Sequence, residues 1–210
     1  MINRLLSASV LKVLLTVLFT VLLSCSMNAL ADPGQFIQPN NLYPKVLIST
    51  TLGDIEVELD RSRAPITVNN FLSYVKEKRY NNTLFHRLEP DYVVQGGGYN
   101  TDFRAILERE PIINESGNGL KNQYATIAMA RLNDPHSATS QFFFNLKDNA
   151  NLDPGSRWGY TVFGRITGGE TVLETMRQQA TDVSVALGWP NVPVEPIVIK
   201  MITVLAEPEL

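Results

Sequence analysis

Most of the chain after residue 45 alternates apolar and polar residues with a two-residue period, which is the period of a β-strand exposed on one side. The clearest example is the stretch 55–59, where three apolar residues alternate with Glu56 and Glu58. Two carboxylates could indicate acid–base chemistry, but on the outer face of a hairpin they are typical of solvated surface charges. The pattern predicts eight strands, at 46–50, 55–59, 126–130, 141–145, 160–166 and 197–205 and in segments that begin at residues 85 and 92.

Two segments show the longer period of a helix instead. Pro65 opens the first, where its missing N–H would have no helical partner in any case. Apolar residues then follow at helical spacing and form a stripe that can pack on a sheet: Val68, Phe71, Leu72 and Val75. The second helix is predicted over residues 171–178, with its inward face formed by Val172, Leu173 and Met176. Residues 101–119 and the segment around Trp189, which contains three prolines, are predicted to be irregular.

Eight strands with hairpin-length connections and two helices favour a mainly β fold, a closed eight-stranded antiparallel barrel capped by two α-helices. Composition alone would also permit a β-sandwich. The length of 210 residues and the hydrophobic content of 44% suit one globular domain with a sizeable core. A formal net charge of −3 provides no basic surface for nucleic acid, so nucleic-acid binding is not expected.

Residues 1–31 are excluded from this fold because they have the features of a secretory signal peptide. Their only two charges are basic, residues 13–23 form an apolar run, and 29–31 form a small-residue cleavage site. The apolar run is short for a membrane span. Cleavage after Ala31 would give a soluble periplasmic protein. It would also remove Cys25, the only cysteine, so the mature chain would have no disulfide.

Cys25 supports an alternative in which the protein is a lipoprotein anchored by a lipid on this residue. It ends the apolar run as the lipidated cysteine of a bacterial lipoprotein does, and membrane association is expected only in this form. Residues 32–44 contain three prolines, a glycine and four Asn or Gln residues, which predicts a disordered lead or tether. A tether suits the lipoprotein, whereas the site at 29–31 favours the soluble form. The sequence leaves both forms open.

The most informative stretch is 85–98, which predicts a strand, a Glu-Pro-Asp turn and a second strand that continues into three glycines. Strict alternation would place Phe85 and Arg87 on one face of the first strand, and Tyr92 and Val94 on one face of the second. Three consecutive glycines would let another chain approach the backbone closely. Arg87 would then lie among apolar neighbours, where a guanidinium costs free energy unless its donors are accepted. An ion-paired arginine on a barrel wall is the alternative interpretation.

These residues belong to a set of blocks that resembles the cyclophilin family of peptidyl-prolyl isomerases. The family signature is Phe-His-Arg followed by an aromatic residue, Gln-Gly-Gly, and later Ser-Gln-Phe-Phe. This chain carries the blocks in the same order and spacing, at residues 85–87, 92, 95–97, 128–131, 140–145 and 162–164. The resemblance covers most of the chain after its N-terminus, so we interpret 45–206 as one cyclophilin-like isomerase domain. It implies the barrel and not the sandwich.

The resemblance implies that Arg87 is the catalytic residue and that other matched positions bind the substrate. The implied substrate-binding residues are Tyr92, Val93, Gln95, Ala130, Arg131, Gln141, Phe143, Leu152 and Tyr160. The apolar pocket for the proline ring would be lined by Tyr92, Val93, Phe143 and Leu152. Gln95 would hydrogen-bond the substrate backbone, and Ala130 with Arg131 would form the edge of the neighbouring groove. Alternation also requires Phe143 to point away from its two phenylalanine neighbours.

The chain departs from the family pattern at several of these positions. Tyr92 replaces the more common phenylalanine, and Val93 follows it where members have methionine. Arg131 stands where many eukaryotic members carry asparagine, and Tyr160 where a histidine often lies. Asn151 occupies the position of an aromatic residue that contacts cyclosporin, so the resemblance does not extend to strong cyclosporin binding.

The predicted function is peptidyl-prolyl cis–trans isomerisation that assists the folding of exported proteins. The alternative is a non-catalytic binder or chaperone of Pro-containing segments. The predicted partners are unfolded or partly folded exported proteins with X–Pro bonds, and a monomer is expected. No cofactor is implied. The only histidines, His86 and His136, have no acidic or cysteine partner at ligand spacing, so no metal site is predicted. His86 is interpreted as hydrogen-bonded in the core and His136 as exposed in a loop.

Overall fold

An eight-stranded antiparallel barrel forms the centre of the computed structural model, which describes residues 33–185 and 187–207. The described residues contain ten strands, eight in the barrel and two, β8 and β9, in a separate sheet. They are β1 (Lys45–Thr50), β2 (Gly53–Leu59), β3 (Thr83–Glu89), β4 (Val93–Asn100), β5 (Thr126–Met129), β6 (Phe142–Asn145), β7 (Val162–Gly168), β8 (Thr181–Ser184), β9 (Trp189–Pro193) and β10 (Ile197–Val204). The helices are α1 (Pro65–Lys76) and α2 (Glu170–Arg177). The barrel closes in the order β1-β10-β3-β4-β6-β5-β7-β2, and its predicted fold class is confirmed.

Alternation along the strands fills the barrel interior and leaves charged residues outside. The three apolar residues of β2 are fully buried, and Glu56 and Glu58 between them face outward. Glu56 pairs with Lys45 at 2.9 Å and Glu58 with Arg165 at 3.1 Å. The two glutamates are therefore surface charges, as predicted. The largest interior side chains are aromatic and contact one another in the cluster Phe71, Tyr80, Phe85, Phe142, Phe144 and Phe163.

The two helices close the barrel with their apolar stripes. All four predicted apolar residues of α1 are buried. The first backbone N–H groups of a helix have no partner within it and need an outside acceptor. In α1 the acceptor is the carboxylate of Glu115, which receives the N–H groups of Ile66 at 3.2 Å and Thr67 at 2.8 Å. In α2 two of the three predicted residues are buried, Leu173 and Met176, and the third is half-buried.

The segment 33–44 is ordered against the barrel, although its composition predicted a disordered lead. One cause is Arg61, a buried arginine that follows β2. Its guanidinium donates hydrogen bonds of 2.6 to 2.8 Å to three backbone carbonyl oxygens, those of Ile37, Gln38 and Asn41. A buried guanidinium needs acceptors, and these carbonyls supply them without a carboxylate. The prediction of disorder is therefore wrong for these described residues, because it ignored a partner about 20 positions away.

Strands β8 and β9 form a separate hairpin where an irregular segment was predicted. Trp189 packs on Tyr99, with ring centroids 4.8 Å apart, and Tyr99 lies 4.9 Å from His86. His86 is thus buried between the barrel wall and the hairpin and not in the barrel core. Its Nδ1 has no hydrogen-bond partner among the described residues, and burial lowers its pKa to about 4. His136 is exposed in a loop, as predicted.

Within the described residues, no helix combines the length and hydrophobicity that crossing a membrane requires. The predicted signal peptide at 1–31, its cleavage site after Ala31 and the competing lipidation site at Cys25 all lie outside the described residues.

Candidate active site

One row of cross-strand neighbours on the outer face of the barrel carries the centre of the predicted site. Arg87 is opposite Gln95 across β3 and β4, and Gln95 is opposite Phe143 across β4 and β6. Phe143 is opposite Ala128 of β5, which is opposite Val162 of β7. Directly opposed residues point to the same side of a sheet. The guanidinium, the amide and the apolar side chains are therefore neighbours on one surface.

A β-bulge in β3 places Arg87 on this surface. The pairing shifts between Phe85, which is opposite Gly96, and Arg87, which is opposite Gln95. One extra residue in a strand reverses the side to which the following residues point. Phe85 therefore lies in the barrel core, whereas Arg87 is outside and 38% of its side chain is exposed. The expectation that these two residues share a face is wrong.

The turn between β3 and β4 delivers Tyr92 to the same surface. The Tyr92 N–H donates to the Glu89 carbonyl at 2.8 Å, which closes the predicted turn, and β4 starts one residue later. Val94 enters the barrel core, while Tyr92 packs with Val93 on the outside. Tyr92 and Val94 thus do not share a face, because Tyr92 belongs to the turn and not to the strand.

The three glycines at 96–98 make room for the protein's own side chains. A Cβ on the first would lie 2.8 Å from Cδ1 of Phe85, and a Cβ on the second 2.9 Å from Cε1 of Phe142. The second glycine also has a φ of +79°. A Cβ on the third would lie 2.6 Å from Cδ of Gln141. The expectation that these glycines open the backbone to a visiting chain is wrong, because that space is already filled.

A chain of polar contacts runs along one side of the row. The Arg87 guanidinium donates from Nη1 to Oε1 of Gln95 at 3.0 Å. Gln95 donates from Nε2 to Oε1 of Gln141 at 2.9 Å. At the other end, Arg87 donates from Nε at 3.1 Å and also from Nη2 to one carboxylate oxygen of Glu89. These contacts orient both the guanidinium and the Gln95 amide.

A second apolar cluster, separate from the barrel core, lies next to this polar chain. Its buried members are Val93, Ala128, Phe143, Leu152 and Val162, and half-buried residues around it include Tyr92, Ala130 and Tyr160. Phe143 points away from its two phenylalanine neighbours, which are in the barrel core, so that prediction is confirmed. The structure brings together all four residues of the implied proline pocket.

Arg131 and Tyr160 form one edge of the apolar cluster. The Arg131 guanidinium lies over the Tyr160 ring, 4.6 Å from its centroid, and the same ring meets Phe143 edge-on at 5.7 Å. Arg131 also donates to the carbonyl oxygens of Trp158 at 2.7 Å and Gly159 at 3.2 Å. Arg131 therefore links its own loop to the loop that contains Trp158 and Gly159, at the edge of the cluster.

Two open grooves adjoin the cluster. One, of about 450 Å³, is lined by Gln95, Gln141, Ala130 and Arg131 among others. The other, of about 1400 Å³, is lined by Arg131, Leu152 and Tyr160 among others. Every predicted substrate-binding residue thus lies either in the cluster or along one of the grooves.

Buried asparagines support the loop that carries Leu152. Asn149 donates to the Tyr92 carbonyl at 2.9 Å and to Oδ1 of Asn145 at 2.8 Å. Asn145 donates in turn to Oδ1 of Asn122 at 3.2 Å. Asn145 and Asn149 are almost fully buried. No sequence pattern distinguished these residues, or Glu89 as a partner of Arg87, because asparagine and glutamate in turn-rich segments are usual on a surface.

Comparison with known proteins agrees with this geometry. The family model for cyclophilin type peptidyl-prolyl cis-trans isomerases matches residues 45–204. The chain belongs to the cyclophilin family. A peptidyl-prolyl cis-trans isomerase of Streptomyces antibioticus is 46% identical over 76% of this chain and 98% of its own length. Peptidyl-prolyl cis-trans isomerase A of Dickeya dadantii is 46% identical over 74% of this chain and 81% of its own length.

A solved structure supports the same assignment. The crystal structure of a cyclophilin type peptidyl-prolyl cis-trans isomerase of Cryptosporidium parvum has a TM-score of 0.65 and 26% sequence identity, over 79% of this chain and 99% of that one. This cyclophilin is therefore an enzyme of the peptidyl-prolyl cis-trans isomerase class. Its site offers an apolar surface next to a cation and an amide that hydrogen bonds hold in place.

Asn151 shows how this cyclophilin differs at the edge of its site. It is exposed, and its Nδ2 donates to the Tyr92 hydroxyl at 3.3 Å. A short amide in this position leaves one side of the cluster open where an aromatic side chain was expected from the family pattern. The rim beside Leu152 is therefore polar.

Proposed function

We propose that this cyclophilin accelerates the isomerisation of X–Pro bonds in exported polypeptides and so assists their folding, with Arg87 as the catalytic residue. The observation that carries the proposal is the position of the Arg87 guanidinium, which Gln95 and Glu89 hold beside an apolar cluster that includes Phe143 and Leu152. The non-catalytic alternative is a binder of Pro-containing segments that uses the same surface.

The reaction requires a charged donor more than it requires acid–base chemistry. Amide resonance imposes a barrier of about 18–20 kcal/mol on rotation about an X–Pro bond, yet no σ bond breaks and no proton is transferred. In the twisted state the proline nitrogen becomes pyramidal and gains a lone pair. A donor aimed at that nitrogen stabilises the twisted state more than the planar one, which is the condition for catalysis. An arginine supplies this donor at every physiological pH.

Arg87 supplies only part of the required acceleration. Bringing a step of about a hundred seconds to milliseconds lowers the barrier by about 7 kcal/mol. A hydrogen bond from a charged group contributes about 1.5–3 kcal/mol. In this proposal the remainder comes from removing the amide from water and holding one side of it while the other side rotates.

The remaining residues of the site hold the substrate. The proline ring packs on Phe143 and Leu152, between the tyrosines Tyr92 and Tyr160 and above Val93. The backbone next to the proline bonds to Gln95, whose amide is already oriented by Gln141. The chain that continues from the proline follows the groove beside Ala130 and Arg131, which is open to solvent.

The exported location of the substrates is inferred from the N-terminal sequence. A basic start, an apolar run and a small-residue site at 29–31 are the features of a secretory signal. We therefore propose a soluble, monomeric periplasmic protein, with the form lipidated on Cys25 as the alternative. Intact mass of the mature protein purified from cells distinguishes them, because only one form starts at Asp32 and only the other carries acyl chains.

The central test compares the wild type with Arg87→Ala in an isomerisation assay on a short peptide that contains one X–Pro bond. Loss of a charged hydrogen bond predicts a decrease in kcat/KM of about 10- to 150-fold. Arg165→Ala is the matched control, because it removes an exposed arginine that pairs, among the described residues, with Glu58 alone at 3.1 Å, and it should leave the rate unchanged.

The two functions give different results in this test. If Arg87→Ala isomerises the peptide as fast as the wild type, the catalytic role assigned to Arg87 is wrong. If the variant loses the isomerase rate but still rescues the folding of exported proteins in cells, binding is the relevant function.

A further inference from the structure

The carboxylate of Glu89 contacts the Arg87 guanidinium from the side opposite Gln95. Both residues belong to β3 and are two positions apart, so their side chains point to the same side of the strand. One carboxylate oxygen, Oε1, accepts from Nε at 3.1 Å and also from Nη2. About one third of the Glu89 side chain is exposed, so solvent reaches this pair. Nothing in the sequence pattern of the site assigned a role to this residue.

We propose that Glu89 is a positioning residue for catalysis, which fixes the orientation of the Arg87 guanidinium at the edge of the apolar cluster. The proposal rests on the isomerase function proposed above, because it concerns how Arg87 is presented to the substrate. Glu89 is opposite Val93 of the cluster across β3 and β4, and in this assignment it does not touch the reacting bond. It acts through Arg87.

Counting donors shows what this orientation achieves. A guanidinium has five N–H groups. Three of them are engaged, one from Nε and one from Nη2 by Glu89 and one from Nη1 by Gln95. Within the part of the chain that the structure describes, this leaves one N–H on Nη1 and one on Nη2 to meet a substrate. Because the group is planar and held at both ends, these two donors point in fixed directions before any substrate binds.

This arrangement differs from the exposed ion pairs elsewhere on the barrel. Arg165, for example, donates one hydrogen bond to Glu58, and 69% of its side chain is exposed. Arg87 is held by a carboxylate on one side and by an amide on the other, and that amide is itself held by Gln141. Ordering a long side chain during the reaction would slow it, and ordering it in advance removes that cost.

The test measures kcat and KM separately for Glu89→Ala and Glu89→Gln with a short X–Pro peptide. Freeing one rotamer-rich side chain predicts that kcat of Glu89→Ala falls about two- to ten-fold, with KM within two-fold of the wild type. Glu89→Gln keeps an oxygen acceptor, so it should retain more of kcat than the alanine variant. The glutamine variant is nearly isosteric, and its unfolding midpoint verifies that the fold is intact.

A matched control and a double-mutant cycle isolate the positioning role. Glu56→Gln removes the same charge from a pair with Lys45 at 2.9 Å on β1 and β2, outside the site, and should leave kcat unchanged. In the Arg87→Ala background, Glu89→Ala should not lower the residual rate further, because the residue through which it acts is absent. A merely structural role would lower both backgrounds equally.

The outcomes distinguish a failure of the positioning role of Glu89 from a failure of the proposed isomerase function. If Arg87→Ala lowers the rate but Glu89→Ala leaves kcat at or above the wild-type value, Glu89 is not a positioning residue and the isomerase assignment stands. An equal loss in both backgrounds also overturns the positioning role. If the wild type does not isomerise the peptide, or Arg87→Ala leaves its rate unchanged, the proposed function fails first.

Discussion

The three consecutive glycines of β4 should differ in how much stability is lost when each is replaced by alanine, because each is surrounded differently. Replacing each of 96–98 by alanine adds one methyl group. At Gly97 the methyl would lie 2.9 Å from both Phe142 and Tyr80, in a backbone conformation with φ of +79°. The left-handed conformation costs about 1–2 kcal/mol for a residue with a Cβ, and overpacking a core costs about 1–3 kcal/mol. We therefore expect Gly97→Ala to lower the free energy of unfolding by about 2–5 kcal/mol.

The neighbouring positions should respond in different ways. At Gly96 the methyl would meet the Phe85 ring at 2.8 Å and a backbone oxygen at 3.0 Å, so overpacking of about 1–3 kcal/mol is expected. At Gly98 the three atoms nearest to the methyl all belong to the Gln141 side chain, which can swing away. That movement breaks the hydrogen bond from Gln95, so stability should fall by only about 0.5–1.5 kcal/mol while the isomerase rate falls.

Urea unfolding followed by tryptophan fluorescence measures the stabilities, and the X–Pro peptide assay measures the rates. Gly117→Ala is the matched control, because a Cβ there has no neighbour within 4 Å, and its stability should stay within about 0.5 kcal/mol of the wild type. The steric argument is refuted if Gly97→Ala is as stable as this control. It is also refuted if Gly98→Ala destabilises the fold as much as Gly97→Ala.

Three further predictions concern groups around the site and the core. Burial lowers the pKa of His86 from 6.5 to about 4, so the unfolded chain binds a proton that the folded chain rejects, and stability should fall by about 3 kcal/mol as pH falls from 6.5 through 4. In His86→Phe this part of the pH dependence of the unfolding free energy should be absent, which urea titrations at several pH values measure. An unchanged pH dependence would contradict the assignment. Glu115→Ala leaves the first N–H groups of α1, including that of Thr67, without their acceptor, and should cost about 1–2 kcal/mol of unfolding free energy by thermal melting. Asn149→Ala removes one of the two donors to the Tyr92 carbonyl and leaves the Leu146 N–H at 2.9 Å, and it should raise KM for the peptide more than it lowers kcat; a change in kcat alone would show that the asparagines do not shape the binding surface.

The sequence predicted the strands and helices of this fold better than it predicted which side of a strand each side chain points to. Strands and helices follow from periodicity, which is a local property. The side of the sheet to which Arg87 points does not follow from periodicity. One extra residue between Phe85 and Arg87 reverses the direction of every later side chain of the strand. No propensity in the sequence indicates that bulge. Arg87 and Phe143 were nevertheless assigned to the site, because family blocks identify residues without reference to their orientation.

The features that the sequence missed depend on distant partners. The β8–β9 hairpin was hidden by prolines, which discourage strands except at an edge, and both of these strands are edges. Segment 33–44 has the composition of a flexible linker, but distant partners hold it: Arg61 binds its carbonyls, and Gln38 donates to the Leu205 carbonyl at 2.7 Å. Glu89 has the sequence context of a turn residue. In each case the deciding contact lies outside the window that a local pattern can read.

The attachment of segment 33–44 to Arg61 limits how far the barrel could move from a lipid anchor. Had this segment been free, the chain between Cys25 and Pro44 could have served as a tether that extends up to about 70 Å. With docking from Pro33 onward, only the eight residues from Cys25 remain, and they extend at most about 30 Å. A lipidated form would therefore keep the domain close to the bilayer and act on chains near the membrane surface, whereas the cleaved form would diffuse throughout the compartment.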